Sequence, residues 1–396
     1  MDESQKNHLK SYGIAYWSLG KGFEVDWLLN YRGGSFAMPA NNALEKECVI
    51  RGVSYQLISE NEYSSILQEI SKNEVNQEVV KLEIPPKVAI YSPKTKLPWD
   101  DAVTMVLTYA EIPYDIIYDP EILSDKLPKY NWLHLHHEDF TGQYGKFYSA
   151  FKDADWYKKD QSDMEATARE FGFEKVSKMK LSVCKKIRDF VFGGGFLFAM
   201  CSATDSYDIA LASENTDICE TPFDNDGVDP NYSSKIDFSR SFAFKDYDLI
   251  TSPYVYEYST IDRSPENGSA MLDESEDYFL LFEFSAKWDQ IPCILTQNHT
   301  KIIKGFMGQT TAFHKKNIKS DVIILGDNKS ADEARYIHGT KGKGMWTFFG
   351  GHDPEDYIHR VYDPKTDLNL HTNSPGYRLI LNNVLFPAAK KKKQKT

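Results

Sequence analysis

The stretch "GGGFLFAMCSATDS", residues 193–206, passes from three glycines through an apolar run to a cysteine among small residues, and then turns polar. Such a run reads as a buried strand, and the polar segment behind it reads as the start of a helix. Ligands in open parallel sheets bind beyond the carboxyl ends of the strands, so Cys201 is expected at a functional edge. Ala199 and Ala203 stand where small residues must flank a nucleophile on a sharp strand-to-helix turn. The following helix would aim N–H groups and its positive end at the sulfur, lowering the thiol pKa and supplying an oxyanion site. A small buried thiol at the end of a core strand is the competing reading.

Upstream, a helix is expected over 176–192, ending in the glycines and carrying Cys184 on its core face. From Lys87 the runs "KVAIYSP", "PWDDAVTMVLTYAEI", "YDIIYD" and "YNWLHLHH" alternate strand and helix. That alternation predicts an α/β fold, a parallel sheet with helices on both faces. Past Cys201, an acidic excursion rich in Tyr and Ser, 205–290, reads as an insertion over the carboxyl ends of the strands. "DQIPCILT" and "SDVIILG" bring the chain back to the sheet. Toward the start, "YGIAYWSL", "FEVDWLLNYRGGSFAM" and "ECVIRGVSYQLI" read as short strands of a small mixed sheet, with a helix after them. "EIPPK" at 83–87 marks a boundary. The expected organisation is a β-rich subdomain 1–84, an α/β domain 85–390 with an insertion at about 205–290, and a basic tail 391–396.

Composition excludes several classes. The 396 residues carry a net charge of −12 and a pI near 5.4, which argues against nucleic acid or an anionic membrane as partner. No stretch reaches the roughly 20 apolar residues of a membrane span, and "MDESQKNHLK" lacks the apolar core of a signal peptide. As written, the chain reads as cytoplasmic, with a periplasmic placement as the alternative if a leader precedes Met1. The five cysteines, Cys48, Cys184, Cys201, Cys219 and Cys293, show neither a disulfide framework nor zinc-knuckle spacing.

A cysteine nucleophile needs a base and the base an orienter. "FFGGHDPED", 348–356, offers His352 with Glu355 or Asp353; a helix cap at Asp353–Pro354 is the other reading. "WLHLHHEDF", 132–140, sets His134 and His136 on one strand face, a possible metal face. Its first reading is substrate contact, with His136, His137, Glu138 and Asp139 joining Ser202 around a small polar ligand. On that reading neither a metal nor a cofactor is expected. "GTKGKG" lacks the context of a phosphate loop. "NYRGGSF", 30–36, reads as a hairpin turn, with Arg32 as a candidate carboxylate contact.

Through "GKGMWTFFGGHDPEDY" and "YRLILNNVLFPAA", the span from about Lys87 to Ala389 resembles the class I glutamine amidotransferase-like superfamily, in particular its trehalose-utilisation (ThuA-like) branch. Through "GIAYWSL", "WLLNYRGGSF", "WLHLHHEDFTGQYGKFY", "MCSATDS" and "NSPGYRLILNN", the whole chain is similar to bacterial proteins labelled asparagine synthetase B. The resemblance implies a flavodoxin-like fold, with Cys201 matching the elbow nucleophile and His352 and Glu355 the class I His and Glu. The elbow reads A-M-C-S-A in place of G-x-C-x-G, and an extra residue separates His from Glu. Position two is Asp2 and no Ser-Gly-Gly loop occurs, so no ATP-dependent synthetase half is expected. The implied activity is a cysteine-dependent amidohydrolase or amidotransferase acting on a small-molecule amide. The alternatives are a non-catalytic carbohydrate- or metabolite-binding protein and a subunit that offers the fold to protein partners.

Overall fold

The computed structural model describes residues 1–94, 100–289 and 297–389. Cys293, most of the strand expected in "DQIPCILT" and the basic tail lie outside the described residues. Strands and helices are numbered along the chain.

In the first 84 residues, β1 (Val25–Leu29) pairs antiparallel with β2 (Ser35–Ala37) and with β3 (Glu78–Leu82). The β1–β2 connection holds positive φ at Asn30, Arg32, Gly33 and Gly34, which is the hairpin expected from "NYRGGSF". The rest of this unit is helical where strands were expected. "YGIAYWSL" lies in α1 (His8–Gly20), capped by the Asn7 side chain, and "ECVIR" lies in α2 (Asn42–Arg51), capped by Asn41. Aromatic and β-branched content suggests strand, but Leu9, Tyr12, Ala15 and Leu19 recur at helical spacing and are all buried. Packing of that stripe overrides propensity. Helix α3 (Glu60–Ser71) starts with a Ser59–Glu62 capping box.

The second sheet begins with β4 (Val88–Tyr91), α4 (Ala102–Ala110), β5 (Asp115–Ile117), α5 (Asp119–Leu123) and β6 (Trp132–Leu135). A short helix, α6 (Tyr148–Phe151), and a longer one, α7 (Asp155–Glu170), lead to α8 (Val176–Gly193), β7 (Phe196–Met200) and α9 (Ala203–Ala212). Then come β8 (Tyr278–Leu281), β9 (Ile302–Lys304), β10 (Phe313–His314), β11 (Ile323–Asn328), β12 (Glu333–Lys341) and β13 (Gly344–Phe349). Strands β5-β4-β6-β7-β13 are parallel neighbours in that order. Counted along the chain, this is the 2-1-3-4-5 order of a flavodoxin-like doubly wound sheet.

The sheet is parallel over that half and antiparallel over the other. β12 runs against β13 because Lys341 pairs with Gly344, leaving a two-residue turn at Gly342–Lys343. "GTKGKG" is therefore a hairpin. β11, β8 and β9 continue antiparallel to the far edge. The 205–290 excursion thus contributes a strand to the sheet, and its Phe242, Phe244 and Tyr258 pack into the core under α8 and α9.

Along β7, Phe196, Phe198 and Met200 enter the core shared with α1, α4 and the closing helix Pro375–Leu385, while Leu197 and Ala199 enter the core under α8 and α9. Period two feeds both faces of the sheet. Leu9, Tyr12 and Trp27 share the first of these cores, so the amino-terminal unit packs directly on the large sheet. Among the described residues, no helix is long and apolar enough to cross a membrane.

Candidate functional site

Cys201 follows the last residue of β7 and has φ +52°, and α9 begins two residues later. A non-glycine residue held there stores strain, as nucleophile elbows do. The turn is tied to the end of β6, since the Ala203 N–H donates to the His136 carbonyl at 2.8 Å. The thiol itself is sealed. Its Sγ accepts the Gln309 N–H at 3.3 Å, and the Gln309 side chain donates to the carbonyls of Gly145 and Tyr256. Burial pushes the Cys201 thiol up to about 11, and N–H groups of Gln309, Ser202 and Thr310 recover only part of that. The expected lowering of its pKa is not found, because desolvation outweighs the helix terminus.

His352 sits just beyond β13, where its N–H donates to the Met307 carbonyl at 2.8 Å. Neither ring nitrogen has a hydrogen-bond partner, so no such bond joins it to Cys201. Glu355 does not orient His352; its carboxylate lies 3.1 Å from His371 Nδ1. Asp353 accepts from Tyr377 Oη, Thr366 Oγ1 and the Glu355 N–H, bracing the loop against the closing helix. No helix starts at Asp353–Pro354. The expected Cys201–His352–Glu355 relay is therefore not hydrogen-bonded together.

His352 instead belongs to a cluster of imidazoles at the carboxyl ends of β4, β6 and β13. Its ring centroid is 4.3 Å from His136, 5.7 Å from His137 and 4.1 Å from His359, on which it stacks at 15°. His134 stands 5.4 Å from His136. One carboxylate links this cluster to the fold. Asp101 caps α4 by accepting the Thr104 N–H at 2.8 Å through Oδ1, while Oδ2 lies 3.3 Å from His134 Nε2 and 3.5 Å from His136 Nδ1. Burial raises the Asp101 carboxyl, and the two imidazoles outweigh it, holding the group well below the usual carboxylate range. His134 Nδ1 faces the Phe198 carbonyl at 3.1 Å. His136 thus turns Nδ1 to Asp101 and leaves Nε2 buried with no hydrogen-bond partner. A second carboxylate serves His359, whose Nδ1 is 3.0 Å from Asp356 Oδ2 and whose Nε2 is likewise orphaned. Burial lowers the pKa of His136, His137 and His352, which favours neutral rings.

The expected substrate contacts divide. His136 and His137 reach the cluster, and Glu138 lies beside it, with Oε1 4.0 Å from His137 Nε2 and Oε2 accepting from Tyr118 Oη at 3.0 Å. Burial pushes the Glu138 carboxyl up to about 8 against the pull of Lys180. Asp139 is committed to its own loop, accepting from the Thr141 N–H and hydroxyl and from the Gly145 N–H. Ser202 Oγ is buried beside Cys201 without a partner. Arg32 bonds Asp2 on the surface. Sequence reasoning missed Asp101 and His359. The i,i+3 pair Asp356–His359 was a readable signal; Asp101 is identified only by the adjacency of β4 and β6.

No family model matches the chain, and no curated protein matches it. Among solved structures, it is similar to a cytoplasmic protein from Salmonella typhimurium at 9% identity, covering 77% of this chain and 100% of that one, with a TM-score of 0.36. A beta-galactosidase from Rahnella sp. R3 matches at 12% identity over 70% of this chain and 30% of its own, with a TM-score of 0.27. One from Bacillus circulans sp. alkalophilus matches at 10% identity over 78% and 32%, with a TM-score of 0.25. The chain spans about a third of the length of these galactosidases. Likenesses at these scores assign neither fold nor function.

Proposed function

We propose that the protein is a hydrolase of small carboxamides on a class I glutamine amidotransferase-like scaffold, with its reacting centre at the histidine cluster. The observation that carries this reading is His352, a buried imidazole with both nitrogens unpartnered, between His136 and His359. A buried polar atom left unpaired costs about 1–3 kcal/mol, so such groups persist where a ligand or a reaction uses them. His136, His137 and His352 would hold the attacking water. His359, oriented by Asp356, would take a proton from that water as it adds to the carbonyl carbon. The C–N bond then breaks, and the same proton leaves with the amine.

A second reading, the cysteine-dependent amidohydrolase, is favoured by the positive φ of Cys201 at the strand end. Ammonia release from simple carboxamides such as glutamine and asparagine separates the two. On the histidine reading, Cys201→Ala keeps activity within about threefold, and His359→Gln lowers it by about 10²-fold or more. Activity abolished by Cys201→Ala and retained by His359→Gln establishes the cysteine reading in its place.

A further inference from the structure

Three nitrogens, one each from His136, His137 and His352, lie within 4.8 Å of one another. A tetrahedral zinc ion holds its nitrogens at about 2.0–2.1 Å, and so about 3.4 Å apart, a contraction of about 1.4 Å at most. The backbone allows consecutive ligands here. β6 ends at Leu135, so His136 and His137 lie past the pleat that would send neighbouring side chains to opposite faces.

We infer that His136, His137 and His352 are the protein ligands of one divalent zinc-class ion, with a fourth position open to water. This deepens the proposed hydrolase reading and rests on the same cluster. Three imidazoles suit zinc and its neighbours, and three protein ligands with one open position is the pattern of catalytic sites. The surroundings match a metal centre as well. Asp101 Oδ2 faces His136 Nδ1 at 3.5 Å and so directs Nε2 inward, the carboxylate–histidine arrangement that orients metal-bound imidazoles. Nε2 of His136 and both ring nitrogens of His352 are buried and otherwise without partners. By contrast, at another grouping, Asp217, Cys219 and Asp224, the Lys175 ammonium lies 2.6 Å from Asp217 and 3.0 Å from Asp224. A lysine already supplies the positive charge there.

In the hydrolysis, the ion would lower the pKa of its bound water. His359, paired with Asp356, is left as the proton carrier.

The test uses the full chain, stripped with a chelator and titrated with zinc and with cobalt(II). The expected result is one ion per chain and the visible ligand-field bands of tetrahedral cobalt. Asp101→Asn should weaken binding by about 10–100-fold, and His136→Asn and His352→Asn by more. Glu355→Gln should bind as the wild type does. If the histidine variants fail to fold, the wild-type cobalt spectrum decides: tetrahedral bands support the site, and a folded chain that binds no ion or shows only octahedral cobalt overturns it. Binding unchanged in a folded His352→Asn variant also overturns it. Hydrolysis that survives complete metal removal refutes this inference alone, whereas a bound ion without carboxamide hydrolysis refutes the hydrolase reading alone.

Discussion

Cys201 and His352 end neighbouring strands of one sheet, yet their side chains have different partners. Position explains the first and environment the second. That a thiol would stand at the carboxyl edge is readable in an apolar run followed by small residues; that Gln309 would cover it is not, since Gln309 arrives from 108 residues further on. A thiol pushed up to about 11 is almost wholly protonated at neutral pH. Cys201 is therefore expected to alkylate about 10²–10³-fold more slowly than a free cysteine of pKa about 8.5, measured by peptide mapping after timed iodoacetamide treatment. A faster rate, slowed by His352→Ala, would instead indicate a working Cys–His pair. Asp205, beneath the same turn, accepts from Thr310 Oγ1 at 2.9 Å, and burial raises its carboxyl to about 7. The folded protein keeps a proton there that the unfolded chain gives up above about 3.8, so this group's stability contribution is lost as pH rises from about 4 to 7. The stability of Asp205→Asn relative to wild type should then climb across that window by up to about 1.4 kcal/mol per pH unit and level off above pH 7. Urea midpoints across that range check the slope; a flat difference would show an ordinary carboxyl.

At the scale of the element, Asp101 joins a helix start to a strand end. One oxygen caps α4 and the other faces His134 and His136. Two variants separate these roles. Asp101→Asn can keep the cap and loses the charge, whereas Asp101→Ala loses both and should cost about 1 kcal/mol more in thermal or urea unfolding. Equal stability of the two would remove the cap from the account. Helix α4 was readable in "PWDDAVTMVLTYAEI", and so were α8, which ends at its glycines, and the four-residue strands β4 and β6. Helix α1 was not, because its Tyr and Trp content speaks for strand while the buried stripe lies one helical turn apart. Nor was the loop after His352. Asp-Pro-Glu commonly starts a helix, and here the Asp353 carboxylate is drawn off by Tyr377 and Thr366, which are distant in sequence.

Over the whole molecule, four of the five parallel strands lie in the alternating runs between Lys87 and Cys201, and the fifth, β13, joins them from beyond the excursion. In the antiparallel half, "SDVIILG" was readable as the strand that became β11, whereas β8, set inside the polar excursion, and the short β9 were not. A buried ionic knot holds that half in place. Arg335 on β12 forms two 2.7 Å bonds to Asp277, just before β8, and Arg263 pairs with Glu333 at 2.5 Å. Removing one partner leaves the other charge buried and unpaired, so Asp277→Ala should destabilise the protein by about 3–5 kcal/mol. A loss below about 1 kcal/mol in urea unfolding would mean that water reaches Arg335. The same topology gathers side chains from distant segments, 101, 134–137 and 352–359, at one edge of the sheet. The central claim is that this convergence is a metal-centred reaction site. Anomalous diffraction at the zinc edge, on crystals grown with the ion, tests it most directly. The account requires a peak about 2.0–2.1 Å from nitrogens of His136, His137 and His352. A map with no peak there, or with zinc only between Asp217, Cys219 and Asp224, would contradict it.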